Sequence, residues 1–431
     1  MKYLYLGLIL FLAGCSGNDK NADKENDVNL LAEKYVRLGL KIGQYDADFV
    51  DAYYGPDSLK PIGTPATVFP KDSLLAEVNA LIKDCGNLIT GNDADSISHR
   101  AKWISEQLVA YGRRIKIFSG EFDDFDKECK ELFGTSAPVY TQAHFQQVLA
   151  SLDSLLPGKG AIQDRFQQLA NRFIIPTAKL DTVFKTAIAE SRKRTMQYFS
   201  LPAEEKFSLE YVTNKSWSGY NWYKGNYTSL IQINTENKIF IERVIDVGSH
   251  ESYPGHHVYN MLLEKNLYRD KGWVEISMYP LFSPQSLIAE GSANYGIELA
   301  FPGQEKIDFA KNVLLPLAGL DTTGIEFYFK ALALKSKLAF ARNEVARGII
   351  NNTMNEDTAI NYLKKYALNN EETAKKSISF TRKYRGYVIN YNHGMQLIQN
   401  YIEKYPVAER WAAFGKLLSN EISTAQLEEN K

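Results

Sequence analysis

Three of the chain's six histidines lie within GSHESYPGHHVYN, residues 248–260, and imidazoles grouped so closely can bind a metal ion. His250 is followed directly by Glu251, as in the helical zinc signature H-E-x-x-H, in which two histidines one turn apart bind the metal and the glutamate activates water. The residue four places after His250 is Pro254, however, and not a histidine. In an unbroken α-helix His250 and His257 would lie about 10.5 Å apart, at roughly 1.5 Å per residue. That is too far for one shared ion, because zinc–nitrogen bonds measure about 2.0–2.1 Å.

Pro254 and Gly255 predict a break in this helix. Proline has no N–H to donate and its ring crowds the carbonyl one turn earlier, while glycine can adopt backbone angles closed to other residues. A two-residue bulge would bring His256 to the position of the second histidine, and a three-residue excursion would bring His257 there instead. We therefore expect one zinc ion bound by His250 and His256, with His257 as the alternate ligand.

Glu290 is the predicted third ligand. It lies in SLIAEGSANYGIELAFP, a helical stretch whose small residues suit close packing against another helix. A carboxylate in such a place is costly to bury unless it is paired or bound to a metal. Three protein ligands leave the fourth zinc position open for water, and Glu251 is then the general base. Asn294, one turn after Glu290, or Asp246, one turn before His250, could orient a ligand through a hydrogen bond.

The pattern elsewhere predicts a mainly α fold with a small antiparallel β-sheet. Apolar residues at spacings of three and four, typical of amphipathic helices, predict helices over residues 28–45, 145–156, 161–173 and 325–350. Residues 207–212 alternate apolar and polar side chains, and residues 219–235 offer two aromatic-rich strands around a hairpin turn at Lys224-Gly225-Asn226. Such strands, placed just before a histidine-bearing helix, either support the fold or bind an extended peptide as one more strand.

The N-terminus predicts export and lipid attachment. Residues 1–15 carry one lysine, a short apolar run and small residues before Cys15, as in a bacterial lipoprotein signal peptide that leaves Cys15 as the lipid-modified first residue. An ordinary signal peptide with a cysteine near its cleavage site is the alternative. Residues 16–28 have almost no apolar side chains and are expected to form a flexible tether. The body then divides into an N-terminal helical region, residues 29–200, and a zinc-binding catalytic region, residues 201–431.

Composition limits the partners of this protein. Fifty basic residues nearly cancel fifty-one acidic ones and no basic block stands out, so nucleic-acid binding is not expected. No later apolar run is long enough to cross a bilayer. We expect a peptide or amide substrate and, through the lipid, a membrane of the bacterial cell envelope, with the body outside the cytoplasm. Cys85 and Cys129 either form a disulfide or remain buried thiols.

HESYPGHH, with AEGSANYGIE further along, resembles the domain-of-unknown-function 885 family, whose hallmarks are an H-E-x-x-P-G-H-H helix and a later E-G-x-A helix. Residues 355–394 also look like the closing segment of that family. The family is similar to gluzincin metallopeptidases. The resemblance therefore implies a gluzincin-like architecture, zinc bound by His250, His256 and Glu290, and Glu251 as the base.

The resemblance has two departures. Arg385-Gly386-Tyr387 stands where the family usually has Pro-Gly-Gln, and Asn294 replaces an acidic residue common in gluzincins. In the closing segment, Tyr391 and His393 are the candidates to stabilise the tetrahedral oxyanion by hydrogen bonding. Tyr391 is preferred because it falls at the family's tyrosine. A core tyrosine and a surface histidine are the alternative interpretation.

These features predict a lipid-anchored, zinc-dependent metallohydrolase, a peptidase that cleaves peptide or amide bonds with activated water. The alternative is a non-catalytic lipoprotein that captures a nutrient, which could be a sugar, a peptide or a metal. Its aromatic side chains for stacking on a ligand would be Trp217, Tyr220, Trp222 and Tyr223.

Overall fold

Helices dominate the computed structural model, which describes residues 16–91, 95–215 and 217–428. The predicted signal peptide and Cys15 lie outside these residues. The helices of the N-terminal part are α1 (Ser16–Gly43), α2 (Lys71–Leu88), α3 (Ser96–Phe118), α4 (Phe125–Phe133), α5 (Gln142–Leu155), α6 (Ile162–Ala170) and α7 (Leu180–Thr195). Those of the C-terminal part are α8 (Ile241–Glu251), α9 (His256–Leu263), α10 (Pro284–Ala300), α11 (Gln304–Phe309), α12 (Leu315–Ala318), α13 (Ile325–Ser336), α14 (Ala341–Ile350), α15 (Glu356–Tyr366), α16 (Glu371–Tyr384), α17 (Ile389–Ile402), α18 (Arg410–Leu418) and α19 (Thr424–Glu428).

The strands form two small sheets, and the prediction of a mainly α fold with a small sheet is confirmed. The strands are β1 (Val50–Tyr53), β2 (Lys206–Val212), β3 (Gly219–Tyr223), β4 (Thr228–Asn234) and β5 (Met278–Pro280). β3 and β4 are the predicted antiparallel hairpin, and its turn has Gly225 at a φ of 74°. β2 joins β4 in parallel on the other side, which leaves β3 at an edge of the sheet. β1 pairs with β5, a contact that no local pattern predicts.

The predicted long helix over residues 325–350 is interrupted. α13 ends at Ser336 and α14 begins at Ala341. Between them, Leu338 is buried in a small apolar cluster with Phe145 of α5. The interruption at residues 337–340 therefore coincides with tertiary packing against α5. It was not predicted because these residues include no glycine or proline.

Residues 16–28, predicted to be a flexible tether, belong to helix α1 in the structure. Val28 is fully buried, whereas residues 23–27 are exposed. Adding residues to a helix that is already nucleated costs little, because each added residue gains a backbone hydrogen bond. The packed part of α1 therefore continues as helix into a segment that has no apolar face of its own.

One apolar core joins the two predicted regions. It includes Leu31 in the middle of α1 and Leu427 in α19. Within it, α10 and α17 touch along their backbones, since an ideal Cβ on Gly291 would lie 2.5 Å from the carbonyl carbon of Gly394. The change of sequence character near residue 200 therefore marks the start of the sheet and not the start of a separate core.

Cys85 and Cys129 are free and buried, so of the two predicted alternatives the structure has the pair of buried thiols. Burial raises the pKa of both thiol groups. Among the described residues, no helix has the length and apolar character needed to span a bilayer.

Candidate metal centre

The predicted break separates α8 from α9. α8 ends at Glu251, residues 252–255 leave the helix, and α9 begins at His256. The excursion brings the rings of His250 and His256 to 4.6 Å, centroid to centroid, at right angles. Gly255 is required there, because an ideal Cβ on it would lie 1.9 Å from the carbonyl oxygen of His250.

Three potential ligand atoms converge at this break. Nε2 of His250 lies 3.3 Å from Oε2 of Glu290, and Nε2 of His256 lies 3.8 Å from the same oxygen. One ligand atom from each of these three residues can be chosen so that all three atoms lie within 4.8 Å of one another. Tetrahedral ligands with bonds of about 2.0–2.1 Å are separated by roughly 3.3–3.4 Å, so the cluster needs only small shifts to surround a zinc ion.

The hydrogen bonding of Glu290 also fits a cation. Its Oε1 accepts a hydrogen bond of 3.0 Å from the hydroxyl of Tyr387. Its Oε2 is buried and receives no hydrogen bond from any residue that the structure describes. A buried carboxylate oxygen without a donor is costly, and a positive ion between it and the two imidazoles removes that cost.

His250 is oriented by Asn294. Nδ1 of His250 lies 3.2 Å from Oδ1 of Asn294, whose Nδ2 donates to the carbonyl oxygen of Tyr391 at 3.2 Å. This contact leaves Nε2 of His250 to face Glu290, as a hydrogen-bonded metal-ligating histidine does. Asp246, the other residue predicted for this role, instead pairs with Lys306 at 2.7 Å.

The charges of His256 and Glu290 favour ligand-competent forms. For His250, burial tends to lower the pKa, but the carboxylates of Glu290 and Glu251 outweigh burial and raise it. Burial, together with nearby His250, lowers the pKa of His256 to about 4, so its imidazole is neutral at pH 7. Burial raises the pKa of Glu290, but contacts with His250 and His256 outweigh it and the pKa is lowered. Glu290 is therefore a carboxylate at neutral pH, as metal binding requires.

Glu251 is buried against the start of strand β3. An ideal Cβ on Gly219 would lie 2.9 Å from Oε1 of Glu251, and Nδ2 of Asn221 donates to the carbonyl oxygen of Glu251 at 2.6 Å. Burial raises the pKa of Glu251 to about 7, and Glu290 adds to the rise. The strand thus passes directly beside the predicted general base.

Strand β3 turns part of its backbone away from β4. Ser218 and Lys224, just beyond its two ends, are both hydrogen bonded to the β4 side. Because bonding alternates along an antiparallel pair, the N–H and C=O groups of Gly219, Asn221 and Tyr223 point away from β4. These groups form an edge next to Glu251.

His257, the predicted alternate ligand, does not join the cluster. It is fully buried, with Nδ1 2.8 Å from Oγ of Ser229 and Nε2 3.1 Å from Oε2 of Glu205. The helical turn that brings His256 to Glu290 directs His257 the other way, into the three-stranded sheet.

The two oxyanion candidates lie in different surroundings. Nε2 of His393 lies 3.3 Å from Oγ1 of Thr135, which donates to Glu428 of α19 at 2.7 Å. Tyr391 packs against Tyr387, with ring centroids 5.7 Å apart. Burial raises the pKa of Tyr391, and the carboxylate of Glu290 adds to the rise, so its hydroxyl stays protonated and can donate. Tyr391 thus lies beside Tyr387, which contacts Glu290, whereas His393 contacts Thr135.

Sequence reasoning missed three residues near the cluster. Tyr387, which contacts Glu290, was singled out only as a departure from the family pattern. Asp51 of β1 accepts a hydrogen bond from the hydroxyl of Tyr220 in β3. Arg342 of α14 has no ion-pair partner in the described part of the chain, and its Nε donates to Ser377 at 3.3 Å. Only long-range contacts bring these side chains here, so no local pattern could have indicated them.

The aromatic residues proposed for ligand stacking pack mainly on one another. The ring of Tyr220 lies 5.4 Å from that of Trp217 and 4.5 Å from that of Trp222. Tyr223 is buried and donates to Glu264. This cluster stabilises the hairpin beside the candidate centre.

No family model matches the chain, and no curated protein matches it. Among solved structures it is similar to a candidate lipoprotein from Colwellia psychrerythraea, with a TM-score of 0.54 and 16% identity over 83% of this chain. The chain spans 65% of the length of that protein. A candidate lipoprotein of unknown function from Shewanella oneidensis gives a TM-score of 0.47 and 12% identity, over 84% of this chain and 72% of that one. An M32 carboxypeptidase from Deinococcus radiodurans R1 gives 0.43 and 11%, over 95% of both chains. The Colwellia likeness supports the fold alone.

Proposed function

We propose that this protein is a zinc-dependent hydrolase, a peptidase that cleaves peptide or amide bonds. The observation that carries the proposal is the convergence of His250, His256 and Glu290, with Glu251 buried beside them. Two imidazole nitrogens and one carboxylate oxygen are a donor set of catalytic zinc sites, in which the fourth position stays open. The resemblance to the domain-of-unknown-function 885 family points to the same chemistry.

A zinc ion, when bound, supplies Lewis acidity that polarises a carbonyl group and lowers the pKa of water. Glu251 then moves the protons. Because burial raises its pKa to about 7, its carboxylate can take a proton from the attacking water and return it to the leaving amine near neutral pH. Asn294 keeps the ring of His250 in the orientation that this arrangement requires.

Two further groups are proposed to contact the substrate. Tyr391, whose hydroxyl stays protonated, would donate a hydrogen bond to the developing oxyanion. The guanidinium of Arg342 lies 6.0 Å from the ring of Phe380, which is 6.4 Å from that of Tyr391. Because no carboxylate among the described residues pairs with it, Arg342 would bind an anionic group on the substrate.

The edge of β3 that faces away from β4 supports an extended peptide as the substrate. Its outward N–H and C=O groups begin at Gly219, whose Cα lies against Glu251. A peptide that adds to this edge as one more strand gains main-chain hydrogen bonds and carries its own backbone past the proposed general base.

We further propose that the protein is attached by lipid at Cys15 to a membrane of the bacterial cell envelope, with its body outside the cytoplasm. The signal-peptide pattern of residues 1–15 is the main support.

The test is to purify the protein without chelators, quantify its metal and incubate it with a peptide library read by mass spectrometry. We expect one zinc ion per chain and cleaved peptides. Glu251→Gln should keep the zinc and lower turnover at least about 100-fold, since a general base contributes roughly 10²–10⁴. Glu242→Gln, a buried glutamate of the same helix that accepts from Tyr328, is the matched control and should keep its activity.

Three outcomes would contradict the proposal. One is protein that contains no zinc and binds none when it is added. Another is a Glu251→Gln variant with full turnover. The third is saturable binding of a sugar or peptide without cleavage, which would favour the nutrient-capturing alternative.

A further inference from the structure

Glu205, just before β2, connects several elements at the break between α8 and α9. Its Oε2 accepts hydrogen bonds from the hydroxyl of Tyr253 at 2.6 Å and from Nε2 of His257 at 3.1 Å. Its Oε1 accepts a hydrogen bond of 2.7 Å from Nε of Arg192, on α7. The side chain of Glu205 is only 2% exposed, so these contacts are shielded from water.

His257 extends this network to β4. In the neutral ring, with Nε2 donating to the carboxylate, Nδ1 accepts from the hydroxyl of Ser229 at 2.8 Å; in the protonated ring, Nδ1–H donates to that hydroxyl oxygen. Both ring nitrogens are therefore satisfied and the ring is fixed. We call Glu205, His257, Ser229, Tyr253 and Arg192 the Glu205 network.

The order serine, histidine, glutamate is also that of a nucleophilic triad, but burial excludes this role. Ser229 and His257 have no exposed surface, so a substrate cannot reach the hydroxyl. A fully satisfied and buried network of this kind fixes a conformation.

We propose that Glu205 is a positioning residue that makes His256, rather than His257, a ligand of the zinc site; this rests on the proposed function. Consecutive residues of a helix point about 100° apart, so a rotation of the start of α9 by about that angle would exchange the two rings. Glu205 prevents that rotation because it holds the chain on both sides of Pro254 and Gly255, at Tyr253 and at His257.

The chain contains a matched control for this role. Glu264, following α9, is equally buried and accepts hydrogen bonds from the hydroxyl of Tyr223 at 2.5 Å and from Nε of Arg269 at 2.7 Å. Its contacts secure the β3–β4 hairpin, including the backbone N–H of Asn226 at 3.0 Å. Glu264 thus has the same chemistry without a contact to the break.

The experiment measures the zinc dissociation constant by competition with a chromophoric chelator, and the Tm of the metal-free protein. We expect Glu205→Gln to weaken zinc binding about 10- to 100-fold, as loss of an outer-shell partner does, and to change the visible spectrum of the Co²⁺-loaded protein. Glu264→Gln should lower the Tm by a similar amount but leave both zinc affinity and the Co²⁺ spectrum unchanged.

Ser229→Ala is a milder second variant that removes one hydrogen bond and retains the packing. It should weaken zinc binding about three- to tenfold. Unchanged zinc affinity in folded Glu205→Gln, or in Ser229→Ala if the first variant does not fold, would overturn the inference. An equal loss of affinity in Glu264→Gln would also overturn it, because the effect would then follow stability alone. Wild-type protein that binds no zinc would instead overturn the proposed function, and this inference with it.

Discussion

His256 and His257 follow each other in the sequence, yet the structure places them in opposite chemical environments. Both ring nitrogens of His257 are hydrogen bonded and its side chain is fully buried. Nε2 of His256 faces Oε2 of Glu290 at 3.8 Å, beyond hydrogen-bond distance, and that oxygen has no donor among the described residues. A buried histidine with both nitrogens satisfied stabilises a fold, whereas unsatisfied polar atoms that converge indicate a site for an ion.

The largest expected effects come from replacing His256 and His257 separately by alanine, which tests this contrast directly. His256→Ala removes a proposed ligand, so stoichiometric zinc binding at micromolar protein should be lost while the metal-free fold keeps its stability. His257→Ala removes the hydrogen bonds that His257 makes with Glu205 and Ser229, so the free energy of unfolding should fall by about 1–3 kcal/mol. It should still bind zinc, although more weakly. Metal analysis and urea unfolding measure the two quantities, and similar behaviour of both variants would remove the contrast.

Gly255→Ala disturbs the segment that separates the two histidines. The added methyl group would lie 1.9 Å from the carbonyl oxygen of His250, so the backbone must move. We expect a loss of about 3 kcal/mol in the free energy of unfolding, together with weaker zinc binding. Gly86→Ala in α2 is the control, since its methyl group meets no atom within 4 Å and should stabilise that helix by about 0.5–1 kcal/mol. Equal stability of the two variants would show that the break is not packed as described.

Acid should lower the stability of the folded protein by protonating Glu205, the carboxylate that accepts a hydrogen bond from His257. Burial raises the pKa of Glu205, but hydrogen bonds from His257, Tyr253 and Arg192 outweigh it and lower the pKa from 4.5 to about 2. Between these values the unfolded chain binds more protons than the folded protein, so stability present above about pH 4.5 is lost as the pH falls towards 2. The loss is on the order of 2–3 kcal/mol.

Urea unfolding of the metal-free protein between about pH 6 and about pH 3 measures this loss. Glu205→Gln should make the stability less dependent on pH over that range. A variant with the same pH dependence as the wild type would show that Glu205 does not carry the effect.

The smallest expected effect is on zinc affinity, through the hydrogen bond between Tyr387 and Glu290. Tyr387→Phe removes the hydrogen bond to Oε1 of Glu290, so zinc affinity should fall about tenfold. Tyr328→Phe removes an equivalent bond of 3.0 Å, from a buried tyrosine to Glu242, and should leave zinc affinity unchanged. Competition titrations measure the zinc affinity of both variants. If Tyr387→Phe binds zinc as tightly as the wild type, Tyr387 does not support Glu290 as a ligand.

Much of the candidate site could be predicted from short stretches of sequence. His250 and Glu251 follow a known spacing, Pro254 and Gly255 mark the break, and Glu290 is conspicuous as a carboxylate among small residues. Tyr387, Asp51 and Arg342 could not be predicted, because each is placed by contacts with residues far away in the sequence. The helical extent of α1 was missed for a related reason, since the packed part of the helix supports a polar segment that has no helical signal of its own.

The sequence by itself determined that the fold is mainly helical and where the helix of the candidate metal site must break, since these depend on side-chain periodicity and on the backbone limits of proline and glycine. Only the tertiary structure decided which of two neighbouring histidines meets Glu290. That choice depends on the rotation of α9, which Glu205 and Ser229 hold through hydrogen bonds to His257 from 52 and 28 residues away. The local sequence of a helix does not determine how the helix is rotated about its own axis, because only contacts with other elements can fix that rotation.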